Sequence, residues 1–286
     1  MSLDAAAWYN RRTVKRTIFD DFPQSFTAVS TPVTAEPSAD SEWVTEAVLG
    51  ESATVLERRG EWARVVLRWQ PSSLHPNGYP GWAPKSSLCP MLRAPVFRTV
   101  SGATAARLVA KDREVLLPMG SVLYDAAGEA DSGWTFAMTP TGEKVLAPTA
   151  DVVVDASSPL QGRQCLLDGL GEWSEQPYVW GGTNSVSGLD CSGLVFRAYG
   201  KIGVVVPRDA NDQFELAPRR ESDSLDAALP GDLVFFQRET SLTIDHVGIY
   251  LGDGMYLSAY KKAGGVSIHP VAQDRFVGWA AYLDAS

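Results

Sequence analysis

Short runs of alternating apolar and polar residues, separated by turn residues, fill the chain from residue 27 to residue 88. Such alternation is typical of half-buried β-strands. The run from Thr54 to Leu67 is divided by Arg59-Gly60, which predicts a hairpin turn at that point. The same order of strand, Gly, Trp and a short strand ending in Ala-Pro returns between residues 96 and 154. This repetition predicts two small β-barrels of one kind. Their cores are expected to contain one tryptophan each, Trp62 and Trp134.

A different pattern begins near residue 158. Residues 161–170 predict a helix that ends at Gly171, and residues 190–200 predict a second helix, because apolar side chains recur there at helical spacing. Strand-like runs follow at residues 232–236, 245–251, 255–260, 265–269 and 278–282. Helices followed by antiparallel strands predict an α+β domain. We therefore expect three domains, at residues 1–92, 93–157 and 158–286.

Composition narrows the possible partners. The chain has 286 residues and a formal net charge of −9. Proteins that bind nucleic acid usually present a basic face, so no nucleic-acid partner is expected. The three cysteines form no C-x-x-C pair, so we expect neither a disulfide framework nor a metal site, and no cofactor. No stretch has transmembrane length, and residues 1–22 lack an apolar secretion signal. We expect a cytoplasmic protein without a membrane span, unless a leader has been removed.

The candidate chemistry centres on Cys191 at the start of the second predicted helix. Unpaired backbone N–H groups and the helix dipole favour a thiolate there, which makes this cysteine a candidate nucleophile. Cys89 and Cys165 lack this setting and are expected to be buried and inert. A thiol nucleophile needs a base within hydrogen-bond reach. His246 opens a predicted strand and is the candidate base among three histidines.

Three motifs occur in a fixed order in the last domain. They are Asp190-Cys-Ser-Gly, Pro230-Gly-Asp-Leu-Val-Phe-Phe and His246-Val-Gly-Ile-Tyr-Leu-Gly-Asp-Gly. From about residue 159 onward the chain resembles the NlpC-type cell-wall cysteine peptidases. The resemblance implies a papain-like fold, in which a helix bundle packs on an antiparallel sheet. It also implies cleavage next to γ-linked D-glutamate in murein stem peptides.

The first half of the chain resembles one branch of that family, in which two bacterial SH3-like domains precede the peptidase. Enzymes of this branch act on free murein peptides and release L-Ala-γ-D-Glu. The family usually has a third polar residue, a histidine, that orients the base. Ser258 stands at the matching position, and His269 on the following strand is an alternative if the strand register brings it opposite His246.

The resemblance also implies a set of substrate-binding residues. Asp209, in Val206-Pro-Arg-Asp-Ala, corresponds to the residue that holds the free amine of the substrate. A glutamate and a tyrosine from the first SH3-like domain complete that subsite, and Tyr79 with Glu46, or less favourably Glu42, fits them. The remaining residues expected at the substrate are Arg208, Asp190, Ser192, Tyr178 and Trp180.

Two other functions stay open on the sequence alone. A wall-binding protein of the same fold, with weakened or lost catalysis, would explain the serine at position 258. The retention of Cys191 and His246 argues against it, because binding needs neither. An acyltransferase or lipid amidase could use the same thiol, although no amphipathic anchor is visible. A serine hydrolase is disfavoured because no G-x-S-x-G elbow occurs.

Overall fold

Two seven-stranded antiparallel sheets with the same strand order lie in the first half of the chain. The computed structural model describes residues 23–92, 97–100, 104–128, 130–154, 162–222, 224–238, 240–241 and 243–283. We call residues 23–92 the first β-domain. Its strands are β1 (Gln24–Phe26), β2 (Ser30–Thr34), β3 (Trp43–Val48), β4 (Ser52–Arg59), β5 (Trp62–Leu67), β6 (Tyr79–Pro84) and β7 (Leu88–Pro90).

The second β-domain comprises the described residues between 97 and 154. Its strands are β8 (Phe97–Val100), β9 (Thr104–Leu108), β10 (Arg113–Leu117), β11 (Val122–Asp125), β12 (Trp134–Met138), β13 (Lys144–Pro148) and β14 (Val152–Val154). The first sheet has the order β3-β2-β6-β5-β4-β1-β7, and the second has the order β10-β9-β13-β12-β11-β8-β14. The second order is the first with each strand number raised by seven. The repeat visible in the sequence is therefore a repeat of topology.

The β-domain cores follow the alternation of the sequence, but the tryptophans do not lie where the sequence predicts. In β5 the side chains of Ala63 and Val65 are buried and that of Arg64 is exposed. Trp62 is only half-buried, and Trp134 is 43% exposed at the first position of β12, opposite Pro148. The expectation of two core tryptophans was wrong, because both residues stand at strand ends rather than within the sheet.

The rest of the described chain forms an α+β domain, here called the catalytic domain (described residues 162–283). Its elements are α1 (Arg163–Gly169), β15 (Thr183–Asn184), β16 (Gly188–Leu189), α2 (Cys191–Lys201), α3 (Ala210–Glu215), β17 (Arg219–Ser222), β18 (Leu233–Phe236), β19 (His246–Gly252), β20 (Met255–Tyr260), β21 (Gly265–Pro270) and β22 (Phe276–Ala281). Six strands form one antiparallel sheet in the order β17-β22-β18-β19-β20-β21. The last strand, β22, therefore pairs with β18 instead of following β21 at the edge of the sheet.

Both faces of this sheet are covered. Val247 and Ile249 of β19 pack with Leu194 and Val195 of α2 in the main core, whereas Phe236 of β18 belongs to a second cluster on the other face. This explains the continuous apolar run of β18, all of which is buried. The described helices are short, and α2 is the longest at 11 residues, so the expected helix bundle is reduced to three short helices. None of the described helices is long and apolar enough to cross a membrane.

The three units contact one another through backbone hydrogen bonds. The N–H of Val122 donates to the carbonyl oxygen of Leu49 at 2.7 Å, which joins the two β-domains. The N–H of Arg208 donates to the carbonyl oxygen of Pro71 at 2.9 Å, which joins the catalytic domain to the first β-domain. Met119 of the second β-domain is buried in the core of the catalytic domain. Both β-domains thus contact the catalytic domain.

Candidate active site

Cys191 is the first residue of α2, and Asp190 caps the helix. The Asp190 carboxylate accepts a hydrogen bond from the N–H of Gly193 at 2.6 Å, which satisfies one of the free donors at the helix start. Gly193 is required here because a Cβ at this position would lie 2.1 Å from the carbonyl oxygen of Gly182. The local sequence therefore places the thiol at a closely packed helix N-terminus.

Burial decides the protonation of this thiol. Cys191 is 8% exposed, and burial, followed by the nearby Asp190 carboxylate, raises the pKa of the thiol to about 12. Backbone hydrogen bonds from Val247 and Ser192 and the charge of Arg208 act in the opposite direction, since they favour the thiolate. The sequence-based expectation of a lowered thiol pKa does not hold in this structure, because desolvation outweighs the helix N-terminus.

His246 is the first residue of β19 and immediately precedes Val247, whose N–H lies at the sulfur of Cys191. The residue that follows the predicted base thus contacts the predicted nucleophile through its backbone. Burial, followed by the positive charge of Arg275, lowers the pKa of His246 to about 4, although the Asp245 carboxylate opposes this shift. At neutral pH both the thiol and the imidazole are therefore uncharged.

Aromatic rings surround the imidazole of His246. The ring centroids of Phe236, Tyr256 and Tyr260 lie 5.8, 6.0 and 5.0 Å from that of His246. Its Nε2 atom is buried and has no hydrogen-bond partner among the described residues. Ring packing, rather than a polar partner at Nε2, fixes the orientation of the base.

Neither candidate for the third catalytic residue bonds the imidazole in the described structure. The Ser258 hydroxyl is fully buried and donates to the carbonyl oxygen of Val247 at 2.6 Å. His269 pairs with Tyr256 across β20 and β21, and its Nε2 lies 2.8 Å from the Ser267 hydroxyl. Ser258 lies on β20, which pairs with β19, whereas His269 lies one strand further away, on β21. A role for Ser258 therefore acts through the backbone that follows His246.

Three of the residues expected to bind substrate form a buried cluster instead. Asp190 Oδ1 and Oδ2 accept from the guanidinium of Arg208 at 3.1 and 2.8 Å, and the Ser192 hydroxyl accepts from the same guanidinium at 2.8 Å. The remaining N–H groups of Arg208 donate to Thr45 and Gly182, so all five are engaged within the protein. Arg208 has no donor left for a substrate. Asp190, Ser192 and Arg208 are thus bonded to one another beside Cys191, and their expected role as substrate contacts stays a prediction.

Tyr79 and Asp209 meet across the boundary between the first β-domain and the catalytic domain. The Tyr79 hydroxyl lies 3.2 and 3.0 Å from the two oxygens of the Asp209 carboxylate. Burial raises the pKa of Asp209, while Arg208 and the hydrogen bond from Tyr79 oppose the shift. Tyr79 is buried but Asp209 is only half-buried, so the carboxylate still reaches solvent. This pair can receive a cationic group.

Glu46 does not join that pair. Its carboxylate accepts from the N–H of Thr183 at 3.1 Å and is 3% exposed, and no hydrogen bond links it to Tyr79 or Asp209 in the described structure. Side chains alternate along β3, so the neighbour of Thr45 faces away from Arg208. Glu42, the less favoured choice, is exposed and precedes Trp43, whose carbonyl oxygen lies against Gly181.

Tyr178 and Trp180 precede the nucleophile. Burial, followed by Cys191 and Asp190, raises the pKa of the Tyr178 hydroxyl, so this hydroxyl stays protonated at neutral pH. Trp180 is 56% exposed and therefore does not belong to the core. No group of three or more His, Cys, Asp or Glu side chains suited to a metal ion occurs among the described residues.

Sequence reasoning missed several residues that shape this site. Asp245 carries the ion pairs to Arg238 and Arg275 (the latter at 3.3 Å), which set the charge beside His246. Thr45 and Gln70 of the first β-domain reach Arg208 through buried hydrogen bonds. Asp245 could have been found as the neighbour of His246. No sequence pattern marks Thr45 and Gln70, because only the packing of two domains brings them to Arg208.

The chain is similar to known proteins over both of its halves. A sequence model of the NlpC/P60 family matches residues 175–281, and a model of the bacterial dipeptidyl-peptidase SH3 domain matches residues 33–88. A γ-D-glutamyl-L-lysine dipeptidyl-peptidase of Bacillus subtilis (strain 168) is 31% identical over 228 residues, which cover 78% of this chain and 74% of the relative. A protein of the same name from Bacillus cereus is 25% identical and covers 79% of this chain and 70% of the relative.

The fold is shared with a solved structure. The crystal structure of an NlpC/P60 family protein from Bacillus cereus ATCC 10987 matches 92% of this chain and 100% of its own, with a TM-score of 0.81 and 22% identity. At this identity the likeness shows the fold: a catalytic domain of the NlpC/P60 kind preceded by an SH3-like domain.

Proposed function

The chain belongs to the NlpC/P60 family and is a peptidase, and from this premise we propose that it hydrolyses the γ-D-glutamyl–diamino acid bond of murein stem peptides. The substrate has a free N-terminal L-Ala, and the product is L-Ala-γ-D-Glu. The nucleophile is Cys191 and the base is His246. The observation that carries the proposal is the Tyr79–Asp209 pair, because it places a partly open carboxylate at the boundary of two domains.

The neutral thiol and imidazole support a general-base mechanism. As the sulfur of Cys191 attacks the γ-carbonyl carbon, its proton passes to His246. The C–N bond then breaks, and the imidazolium returns the proton to the leaving amine, which gives a thioester and a free diamino acid. A water molecule gives its proton to His246 and its hydroxide to the thioester carbon. The C–S bond breaks, and the thiolate regains the proton.

The carbonyl oxygen needs donors while it carries negative charge. The hydroxyl of Tyr178 is a neutral donor, because burial keeps it protonated. The exposed ring of Trp180 provides an apolar surface beside it. These two residues are our candidates for oxyanion stabilisation and for holding the peptide in the cleft.

The ammonium group of L-Ala is proposed to bind the Asp209 carboxylate, with the Tyr79 hydroxyl fixing its orientation. Glu42 supplies the second carboxylate in this proposal, because it is exposed near the same boundary, whereas Glu46 is engaged by Thr183. N-acylation would remove the charge and leave the carboxylates without a cation. That mismatch costs about 1–3 kcal/mol or more.

We also infer that the second β-domain is SH3-like, since its strand order repeats that of the first. The wall-binding alternative is not favoured, because a protein that only binds has no need of a buried thiol beside a neutral imidazole. Action on free peptides would suit a cytoplasmic recycling enzyme, and this location remains a prediction.

The direct test is to incubate the protein with L-Ala-γ-D-Glu-L-Lys and with its diaminopimelate analogue, and to identify the products by mass. L-Ala-γ-D-Glu plus free diamino acid is the expected result. Cys191→Ala should abolish the reaction, whereas Cys89→Ser and Cys165→Ser, which change half-buried cysteines outside the site, should retain it. Intact peptides, or full turnover by Cys191→Ala, would contradict the proposal.

A further inference from the structure

A continuous chain of buried hydrogen bonds joins the first β-domain to the helix that carries Cys191. Gln70 is its centre and is fully buried. The carbonyl oxygen of its side-chain amide accepts from the Thr45 hydroxyl at 2.6 Å. The amide nitrogen donates to the carbonyl oxygen of Glu46 and to Oε1 of Glu51, both at 2.9 Å. Both ends of the amide are thereby fixed.

The first branch leads from Gln70 to the start of α2. The Thr45 hydroxyl accepts from Nε of Arg208 at 2.9 Å while it donates to Gln70. The other end of the guanidinium holds both oxygens of Asp190, and Asp190 caps α2 at Gly193. Three side chains therefore connect the centre of the first β-domain to the turn that contains Cys191.

The second branch leads to the middle of the same helix. Arg197 lies six residues after Cys191, and its Nη2 is 3.9 Å from Oε2 of Glu51. The same guanidinium donates to the carbonyl oxygen and to the hydroxyl of Thr183 at 2.8 and 3.0 Å. Thr183 also bonds Glu46, through its N–H at 3.1 Å and its hydroxyl at 3.0 Å. The helix is therefore held at two points along its length.

Two such anchors fix both the rotation and the axial position of α2. Catalytic geometry is sensitive at this scale, since a misplacement of about 1 Å changes rates by about 100-fold. The residues that form these hydrogen bonds are all buried, so water does not freely replace a partner that is lost. The contact between the first β-domain and the catalytic domain therefore affects the position of Cys191 as well as the association of the two domains.

We propose that Thr45 and Gln70 are positioning residues for the nucleophile: through Arg208 and Asp190 they hold the start of α2, so that the first β-domain is part of the catalytic machinery. Neither residue contacts the substrate in this account. This role is separate from the binding of the L-Ala ammonium by Asp209. It relies on the proposed function only for the turnover assay below.

The test compares Thr45→Val, which removes the hydroxyl at nearly constant volume, with Thr45→Ser, which keeps it. Ser25→Ala is the matched control, because Ser25 is an equally buried hydroxyl of the same β-domain that bonds Tyr124 at 3.3 Å, outside this chain of bonds. For each variant we would measure kcat and KM with the tripeptide, and the rate of Cys191 alkylation by iodoacetamide against pH.

Thr45→Val should lower kcat about tenfold with KM within about twofold. Its alkylation profile should move to higher pH, because Arg208 favours the thiolate and is no longer held on the Thr45 side. Thr45→Ser and Ser25→Ala should behave like the unmodified protein. If Thr45→Val does not fold, Thr45→Ala removes the same hydroxyl without adding apolar bulk.

A wild-type kcat together with a wild-type alkylation profile in Thr45→Val or Thr45→Ala would overturn the proposal, and so would an equal loss in Ser25→Ala. Alkylation needs no substrate, so it separates this inference from the proposed function. If the unmodified protein failed to cleave the tripeptide, the proposed function would fail. The shift in the alkylation profile would still decide the positioning role.

Discussion

The hydroxyl of Ser258 donates to the carbonyl oxygen of Val247 at 2.6 Å, across two neighbouring strands. Val247 follows His246 directly, and its N–H lies at the sulfur of Cys191. A single residue thus receives a bond from Ser258 on one side and supports the thiol on the other. Ser258 therefore holds the backbone that carries both the proposed base, His246, and a donor to the proposed nucleophile, Cys191.

Replacing Ser258 should weaken catalysis without abolishing it. In Ser258→Ala the Val247 carbonyl loses its buried partner, and we expect kcat to fall about three- to tenfold, since one net hydrogen bond contributes about 1 kcal/mol. His269→Ala should change kcat by less than about twofold, because its Nε2 lies at Ser267 rather than at the base. Steady-state kinetics of the two variants would show which of the two residues supports catalysis. A large loss in His269→Ala beside a neutral Ser258→Ala would identify His269 as the orienting residue instead.

The acid limb of the activity profile should lie well below pH 6.5. The base must be neutral to accept the thiol proton, and burial together with Arg275 lowers the pKa of His246 to about 4. A lowered pKa keeps the imidazole neutral as the pH falls from 7 towards 5, so kcat/KM should be retained over that range. A pH profile of kcat/KM tests this. An acid limb at or above the ordinary histidine pKa would show that the base is not desolvated.

Alkylation of Cys191 should be slow at neutral pH and should accelerate as the pH rises. Burial and Asp190 raise the pKa of the thiol to about 12, and the thiolate is the species that reacts. Iodoacetamide rates from pH 5 to pH 10 would show a steady increase. A fast plateau below pH 6 would instead reveal a preformed thiolate–imidazolium pair. That outcome would replace the general-base mechanism.

Sequence patterns could place Cys191 and His246, because each begins a regular element that its own residues define. They could also anticipate the repeated β-domains, since the strand order repeats with the pattern. The roles of Arg208 and Glu46 could not be predicted. Both depend on which side chains a neighbouring domain presents, and no local periodicity carries that information. The position of β22 beside β18 could not be predicted either, because strand order is set by pairing between segments that are distant in sequence.

Removing Arg208 should destabilise the fold strongly. Arg208→Met leaves the buried Asp190 carboxylate without its cation, and breaking such a pair costs about 3–5 kcal/mol. Arg220→Met is the control, because Arg220 pairs with Glu215 at the surface, where an ion pair contributes about 0–1 kcal/mol. Urea unfolding of both variants would measure the difference. Equal free energies of unfolding would mean that the Arg208–Asp190 pair does not stabilise the fold.

We propose that Asp209 and Tyr79 select a free N-terminal amine for cleavage by Cys191. The measurement is kcat/KM for L-Ala-γ-D-Glu-L-Lys and for its N-acetylated form, with the unmodified protein and with Asp209→Asn. N-acetylation should reduce kcat/KM by about fivefold or more in the unmodified protein, since an unmatched carboxylate costs about 1–3 kcal/mol or more. In Asp209→Asn the two peptides should be cleaved at similar, low rates. Equal cleavage of both peptides by the unmodified protein would contradict the account.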